Sequence, residues 1–277
     1  MTGSPLNVPR LLKEHGLTPN KALGQNFLVD PYALEKVIKA GNVTQVDTVL
    51  EIGAGLGSLT RLLATHARQV VAVEIDRQLL PVLEEVLRGY QNVKLIQADM
   101  LSLDPAELIN QQDYLVIANI PYYITSYLIR HLLESSLKPR RLVLTIQKEV
   151  AERICARDGK MSLLSLSVQL YGEPKIAASI PAGCFYPAPK VDSSVLAVDI
   201  YPEPVIPHQL IESFFTLAHA GFGMKRKTLR NALSNRLGLS TEQVSATLVA
   251  AGIDPQRRAE TLSLQEWKEL TLVFNSY

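Results

Sequence analysis

Thr48-Val49-Leu50-Glu51-Ile52-Gly53-Ala54-Gly55-Leu56-Gly57-Ser58 is the stretch that decides the fold. It opens with aliphatic and β-branched residues that do not alternate with polar ones, the pattern of a strand buried on both faces. Three glycines at alternate positions follow, and LTRLLATHA, residues 59–67, then takes up a helical pattern. Glycines at a strand-to-helix turn adopt torsion angles that other residues resist and let the backbone pass close to a ligand. The spacing is GxGxG, with Ser58 where the dinucleotide fingerprint GxGxxG has its third glycine. A nicotinamide site is weakened by that residue, yet on this motif alone it stays open, as does a tight turn without any ligand.

The same unit repeats outward along the chain. VVAVE (70–74), VKLIQAD (93–99), YLVIAN (114–119) and LVLTI (142–146) alternate with helix-like segments such as ITSYLIRHLLESS (124–136). Such alternation predicts βα repeats and a doubly wound, mostly parallel sheet, a Rossmann-like α/β domain. An apolar helix over 162–171 and strands at KIAASI (175–180) and SSVLAVDI (193–200) extend it, with the turn PAGCFYPAP (181–189) between those strands. YPEPVIP, residues 201–207, holds three prolines and reads as a linker. Beyond it only helical signals appear: Ser240 with Gln243 and Ser263 with Glu266 have capping-box spacing, and Val244, Leu248, Trp267, Leu270 and Phe274 supply apolar stripes. Residues 1–202 are therefore expected to form the α/β domain and 203–277 a smaller all-helical one.

Composition narrows the class. The 277 residues are 47% hydrophobic and 20% charged, which argues against disorder and coiled coil. Cys155 and Cys184 form no CxxC, and the histidines at 15, 66, 131, 208 and 219 form no HxxxH pair, so neither a zinc site nor a disulfide scaffold is expected. The first sixteen residues lack the apolar run of a signal peptide, and no charge-free stretch is long enough to span a bilayer. A soluble protein in the reducing cytoplasm is the expectation, with a monomer as the default.

Polar residues at the predicted strand ends carry the chemistry. Glu74 lies 21 positions after Gly53, where a carboxylate accepts hydrogen bonds from ribose hydroxyls; Asp99 and Asn119 end the next two strands. Any one of them would serve equally well as a helix cap or a solvated loop residue, but together they fall where open α/β sheets bind ligands. Asn119-Ile120-Pro121-Tyr122 crowds an amide, a proline and an aromatic onto one strand end. That set suits methyl transfer to the exocyclic amine of adenine, a poor nucleophile whose lone pair is delocalised into the ring. The Asn119 amide oxygen and the Pro121 carbonyl can accept the two amine hydrogens and aim the lone pair at a methyl donor, while Tyr122 stacks on the base. A proline turn with Tyr122 in the core is the structural alternative.

EIGAGLG, the acid at Glu74, QADML at Asp99 and NIPYYIT resemble the motifs of Rossmann-fold methyltransferases that use S-adenosylmethionine. With KALGQNFLVD upstream and FYPAPKVDSSV, KRKTLRNAL and AETLSLQEW downstream, the chain resembles the ribosomal RNA adenine N,N-dimethyltransferase family, on the branch acting on bacterial 16S rRNA. The resemblance runs from about Asn20 to Trp267. It implies dimethylation of adenines, two adjacent ones, in 16S rRNA within an immature 30S subunit, as a step of subunit biogenesis. It further implies that Asn26 and Leu28 help close the cofactor pocket, that Gly53 lines it, and that Glu74 holds the ribose. Asp99 would meet the cofactor's adenine, Asn119 would stand between cofactor and substrate amine, and Phe185 would be a second aromatic facing the base, with burial in the core as its alternative. The chain departs from the family at Ile120, where leucine is commoner, and at Tyr127, where proline is.

Lys and Arg total 28 against 27 Asp and Glu, a net +1 that points to no partner. Residues 219–241, however, hold Lys225, Arg226, Lys227, Arg230 and Arg236 without an acid. Clustered cations on a helical module suit phosphate contacts, so these five are the expected RNA-binding residues; an ordinary solvated helix face is the alternative. Lys138, Arg140 and Arg141 form a weaker cluster that is equally consistent with a loop at the far end of the sheet. Three other functions stay open on the residues: transfer to 23S rRNA or DNA, a non-catalytic assembly factor, and a nicotinamide dehydrogenase.

Overall fold

The computed structural model describes residues 5–157 and 159–276. The strands among these residues are β1 (Phe27–Leu28), β2 (Thr48–Ile52), β3 (Gln69–Glu74), β4 (Val93–Gln97), β5 (Leu115–Asn119), β6 (Arg141–Gln147), β7 (Gly172–Ile180), β8 (Phe185–Tyr186) and β9 (Ser193–Ile200). The α-helices are α1 (Val8–Glu14), α2 (Pro31–Gly41), α3 (Ser58–His66), α4 (Leu80–Leu87), α5 (Pro105–Leu108), α6 (Thr125–Glu134), α7 (Lys148–Ile154), α8 (Leu163–Gln169), α9 (Ile211–Phe222), α10 (Leu229–Leu237), α11 (Thr241–Ala250) and α12 (Leu264–Phe274). None of these helices is long and apolar enough to cross a membrane.

Seven strands form one sheet in the order β4-β3-β2-β5-β6-β9-β7. β2 to β6 run parallel, and β9 lies antiparallel to β6. This is the expected doubly wound architecture. Every residue of β2 is buried, as are the first four of β5, which explains why neither alternates apolar with polar residues: helices cover both faces. The strand order reverses between β2 and β5, so their carboxyl ends, at Gly53 and Asn119, flank the crevice where such sheets take ligands.

The glycine turn is built as its sequence requires. Gly55 has φ +59° and a Cβ there would sit 3.0 Å from the Phe27 ring; Gly57 has φ +85° and a Cβ would come within 2.9 Å of Leu83 on α4. Left-handed backbone and close packing together select glycine at both positions.

The chain divides into two compact units, the first made of residues up to Ala151 with Pro174–Ile200, the second of Glu152–Glu173 with Tyr201 onward. The division near 200 lies beside the expected one, but residues 152–173 join the helical unit instead of the sheet. Backbone bonds hold them there: Met161 N–H donates to Glu260 O, and Tyr201 N–H to Tyr171 O. Within the segment, the Gln169 amide donates to the carbonyls of Ile154 and Ala156. Both expected capping boxes start helices, at Ser240 and Ser263, and Trp267, fully buried, stacks on Phe222 at 5.7 Å.

Candidate functional site

A cavity of about 220 Å³ opens at the carboxyl ends of β2, β3 and β5. Asn26, Gly53, Glu74, Asp99, Asn119, Pro121, Tyr122 and Phe185 all line it. Eight of the nine residues expected around cofactor and base are thus gathered from sequence positions 159 residues apart.

Glu74 ends β3 and is 5% exposed. Its Oε2 accepts from the Gly55 N–H at 2.7 Å and its Oε1 from the Asp76 N–H at 2.8 Å. Burial pushes its carboxyl upward, those two N–H groups oppose the shift, and the Asp76 charge adds to it. A carboxylate has about four acceptor sites, so Glu74 ties down the glycine turn and keeps acceptor capacity for a pair of ribose hydroxyls. Asp99 accepts the Leu101 N–H at 3.0 Å through one oxygen, which pins the loop after β4 as an Asx turn. Apolar Val73, Ile75, Met100 and Leu101 line the same part of the cavity. A buried carboxylate at Glu74 and an exposed one at Asp99, beside a glycine turn and apolar lining, fit the adenosine half of S-adenosylmethionine.

At the other end, the Asn119 Nδ2 donates to the Asn26 carbonyl at 2.9 Å. Committing the amide nitrogen there assigns Oδ1 as the group left to accept hydrogen bonds in the cavity. The Tyr122 hydroxyl bonds Ser193 Oγ at 2.9 Å, which anchors the half-buried ring where it lines the cavity. Burial raises the Tyr122 hydroxyl's pKa, with the Ser193 bond opposing. Phe185 is 4% exposed within the core of the sheet unit and also lines the cavity. The Pro121 carbonyl is less open than expected, because it accepts from Ile124 N–H at 3.2 Å and Thr125 Oγ1 at 3.5 Å where the turn runs into α6.

Leu28 stands apart. Its side chain is buried in the hydrophobic core and does not line the cavity, whereas its neighbour Phe27 does. Consecutive side chains of a strand point to opposite faces, and β1 turns Phe27 to the cavity and Leu28 into the core.

Three contributors are not apparent from the sequence. Gln25 donates to Asp76 Oδ2 at 2.6 Å, tying the segment before β1 to the end of β3. Gly24 packs so that a Cβ would lie 3.3 Å from Pro121 and 3.4 Å from Tyr123. Glu51, inside the quoted motif but unassigned, is 1% exposed with Oε2 lacking a hydrogen-bond partner. Burial pushes its carboxyl up to about 8, the Thr60 hydroxyl opposing and the Glu74 charge adding. The signal for Glu51 was an acid in an otherwise apolar buried strand; nothing local marked Gln25, whose partner is 51 residues away.

The five expected RNA-binding cations lie in the helical unit. Lys225, Arg226 and Lys227 are exposed in the turn between α9 and α10, Arg236 is exposed on α10, and Arg230 is half-buried, with Nε 3.3 Å from Asn231 Oδ1. None of the five pairs with a carboxylate among the described residues. Arg140 and Arg141 contrast with them: Arg140 bridges Asp47 at 2.8 Å, and Arg141 pairs with Asp199. Their charges are neutralised within the fold, at the amino end of β6, away from the cavity.

A family model described as ribosomal RNA adenine dimethylase matches residues 16–276. Ribosomal RNA small subunit methyltransferase A of Dehalococcoides mccartyi (strain CBDB1) is 46% identical over 265 residues, covering 95% of this chain and 91% of the relative. The protein of that name from Enterococcus faecalis is 41% identical over 278 residues, 97% and 94% of the two chains. Among solved structures, a dimethyladenosine transferase from Plasmodium falciparum aligns with a TM-score of 0.78 at 26% identity, over 90% of this chain and 98% of the other. The 23S rRNA methyltransferase ErmE aligns at 0.74 and 26%, over 90% and 100%.

Proposed function

The chain belongs to the ribosomal RNA adenine dimethylase family, and from that premise we propose that it dimethylates the exocyclic amine of adenines in small-subunit ribosomal RNA with S-adenosylmethionine as methyl donor. Bound in the cavity, S-adenosylmethionine supplies the electrophilic methyl group. What the protein contributes is position. Glu74 and the Gly53–Gly57 turn would hold the ribose and the chain beyond it, and Asp99 the adenine; Asn26 orients Asn119. Tyr122 and Phe185 would clasp the target base, whose entry requires leaving its stack at a cost of a few kcal/mol, offset in part by stacking worth about 1–3 kcal/mol per base.

The observation that carries the reading is the Asn119 amide, held by its nitrogen on Asn26 so that Oδ1 is the acceptor offered to the cavity. Accepting one amine hydrogen there draws the nitrogen towards tetrahedral geometry and directs its lone pair at the methyl group; the Pro121 carbonyl becomes a second acceptor when it gives up its longer bond, to Thr125 Oγ1 at 3.5 Å. Once the methyl group has moved to the nitrogen and one amine proton has left to solvent, a single hydrogen remains, and Asn119 Oδ1 can accept it in the second round. The relatives named for the small subunit favour 16S rRNA over 23S rRNA or DNA as substrate. We place the reaction in the cytoplasm on immature 30S particles, with a monomeric enzyme whose cations at 225–227, 230 and 236 hold the RNA.

The test is transfer of labelled methyl from S-adenosylmethionine to 30S particles, 50S particles and naked DNA, followed by nucleoside analysis. Dimethyladenosine in 30S RNA alone is expected, and Asn119→Ala is expected to lower kcat by about 10²–10³, the range for removal of one preorganised polar group that meets a transition state. Unchanged kcat in that variant would remove Asn119 from the mechanism; label in 50S RNA or DNA instead would reassign the substrate.

A further inference from the structure

Two tyrosines that are largely exposed follow the Asn119–Tyr122 turn, Tyr123 just before α6 and Tyr127 on it. Thr125, Leu128, Ile129, Leu132 and Leu133 of α6 are buried, which turns Ser126, Tyr127 and Arg130 to solvent. Tyr123 lies in the 3-10 turn Tyr122–Ile124 that leads into α6, and Tyr127 in the first turn of α6. Tyr123 is 59% exposed and Tyr127 74%, and neither ring makes a hydrogen bond or aromatic contact among the described residues. Tyr123 lines the mouth of the cavity; Tyr127 stands a turn further out and does not. Arg130, a turn beyond Tyr127, is 64% exposed and pairs with Glu134 on its own helix, at 2.8 Å.

Exposed rings that continue from the lip of a cavity mark an interaction surface, and the target of this cavity states what would meet them. An adenine that swings out of its strand leaves its neighbour without a stacking partner, and an aromatic ring on the rim takes that partner's place because every base has a π-face. We infer that Tyr123 and Tyr127 form a stacking ledge for the unpaired nucleotides flanking the target adenine, with Arg130 at its outer end to meet a phosphate of the same strand. The inference rests on the proposed RNA substrate and adds the path by which that strand reaches the pocket.

Tyr127 gives the cleaner test, since it lies outside the cavity and is mostly solvated. Steady-state methylation of 30S particles is compared for wild type, Tyr127→Ala and Tyr127→Phe, alongside calorimetric affinity for S-adenosylmethionine and the thermal midpoint. The Ala variant is expected to raise KM for the particle by about five-fold or more, the size of one base–aromatic stack, and Phe to restore it. Cofactor affinity and midpoint stay at wild-type values. Wild-type KM in the Ala variant, or an equal rise in the Phe variant, overturns the ledge while leaving the methyltransferase reading intact. A wild-type protein that methylates no ribosomal RNA sinks that reading instead. A turnover-independent readout then decides the ledge: quenching of 2-aminopurine placed beside the target adenosine in an RNA hairpin, expected with wild type and abolished by Tyr127→Ala, and absent altogether if the ledge is wrong.

Discussion

Glu51 and Glu74 are separated in sequence by a helix and a strand, yet they titrate in one neighbourhood, and the two have different tasks. Glu74 is bonded by two backbone N–H groups and faces the cavity. Glu51 has no such partners, and its carboxyl is raised from 4.5 to about 8, so it is protonated at neutral pH. The unfolded chain releases that proton near pH 4.5 while the folded chain keeps it to about pH 8; stability therefore falls as pH rises across this window, by a few kcal/mol, and levels off above it. Glu51→Gln replaces the protonated acid by a neutral isostere. Chemical denaturation between about pH 5 and pH 9 is expected to show a flatter profile for the variant and higher stability than wild type at the alkaline end; parallel profiles would contradict the assigned protonation. The acid at position 51 is visible in the motif, but its protonation follows from burial beneath the turn, which only the packed sheet creates.

At the scale of elements, the cavity is a property of the glycine turn and of the segment laid across it. Residues 24–30 reach the sheet through Gln25 on Asp76, Asn26 on Asn119, and the Val29 and Asp30 N–H groups on the Cys184 carbonyl. Two-residue strands β1 and β8 complete the clasp. Because Gln25 holds the segment against the end of β3 without contributing to the buried core, Gln25→Ala is expected to weaken S-adenosylmethionine binding several-fold in calorimetric titration with the unfolding midpoint near wild type; a large fall in midpoint with unchanged affinity would make the interaction structural. The strands themselves were legible, since buried parallel strands leave unbroken apolar runs. The clasp was not, because a two-residue strand has no periodicity to read and β1 and β8 lie far apart along the chain, at Phe27 and Tyr186.

For the whole molecule, a net charge of +1 conceals a division of labour. Arg140 and Arg141 are neutralised by Asp47 and Asp199 within the sheet unit, while Lys225, Arg226 and Lys227 are exposed in the helical unit with no carboxylate partner among the described residues. Replacing those three together by alanine is expected to weaken RNA binding and to lower the slope of log affinity against log salt by about one for every phosphate that is no longer neutralised, with cofactor affinity unchanged; an unaltered slope would place the RNA elsewhere. By itself the sequence determined the strand sites, the glycine turn, the two capping boxes and the acid-free cationic stretch, since each depends on neighbours a few residues away. The tertiary structure decided that Phe27 and not Leu28 faces the cavity, that residues 152–173 belong with the helices, that Glu51 keeps its proton, and which arginines are paired with carboxylates. Those outcomes depend on burial and on partners tens to hundreds of residues distant, which local pattern does not encode.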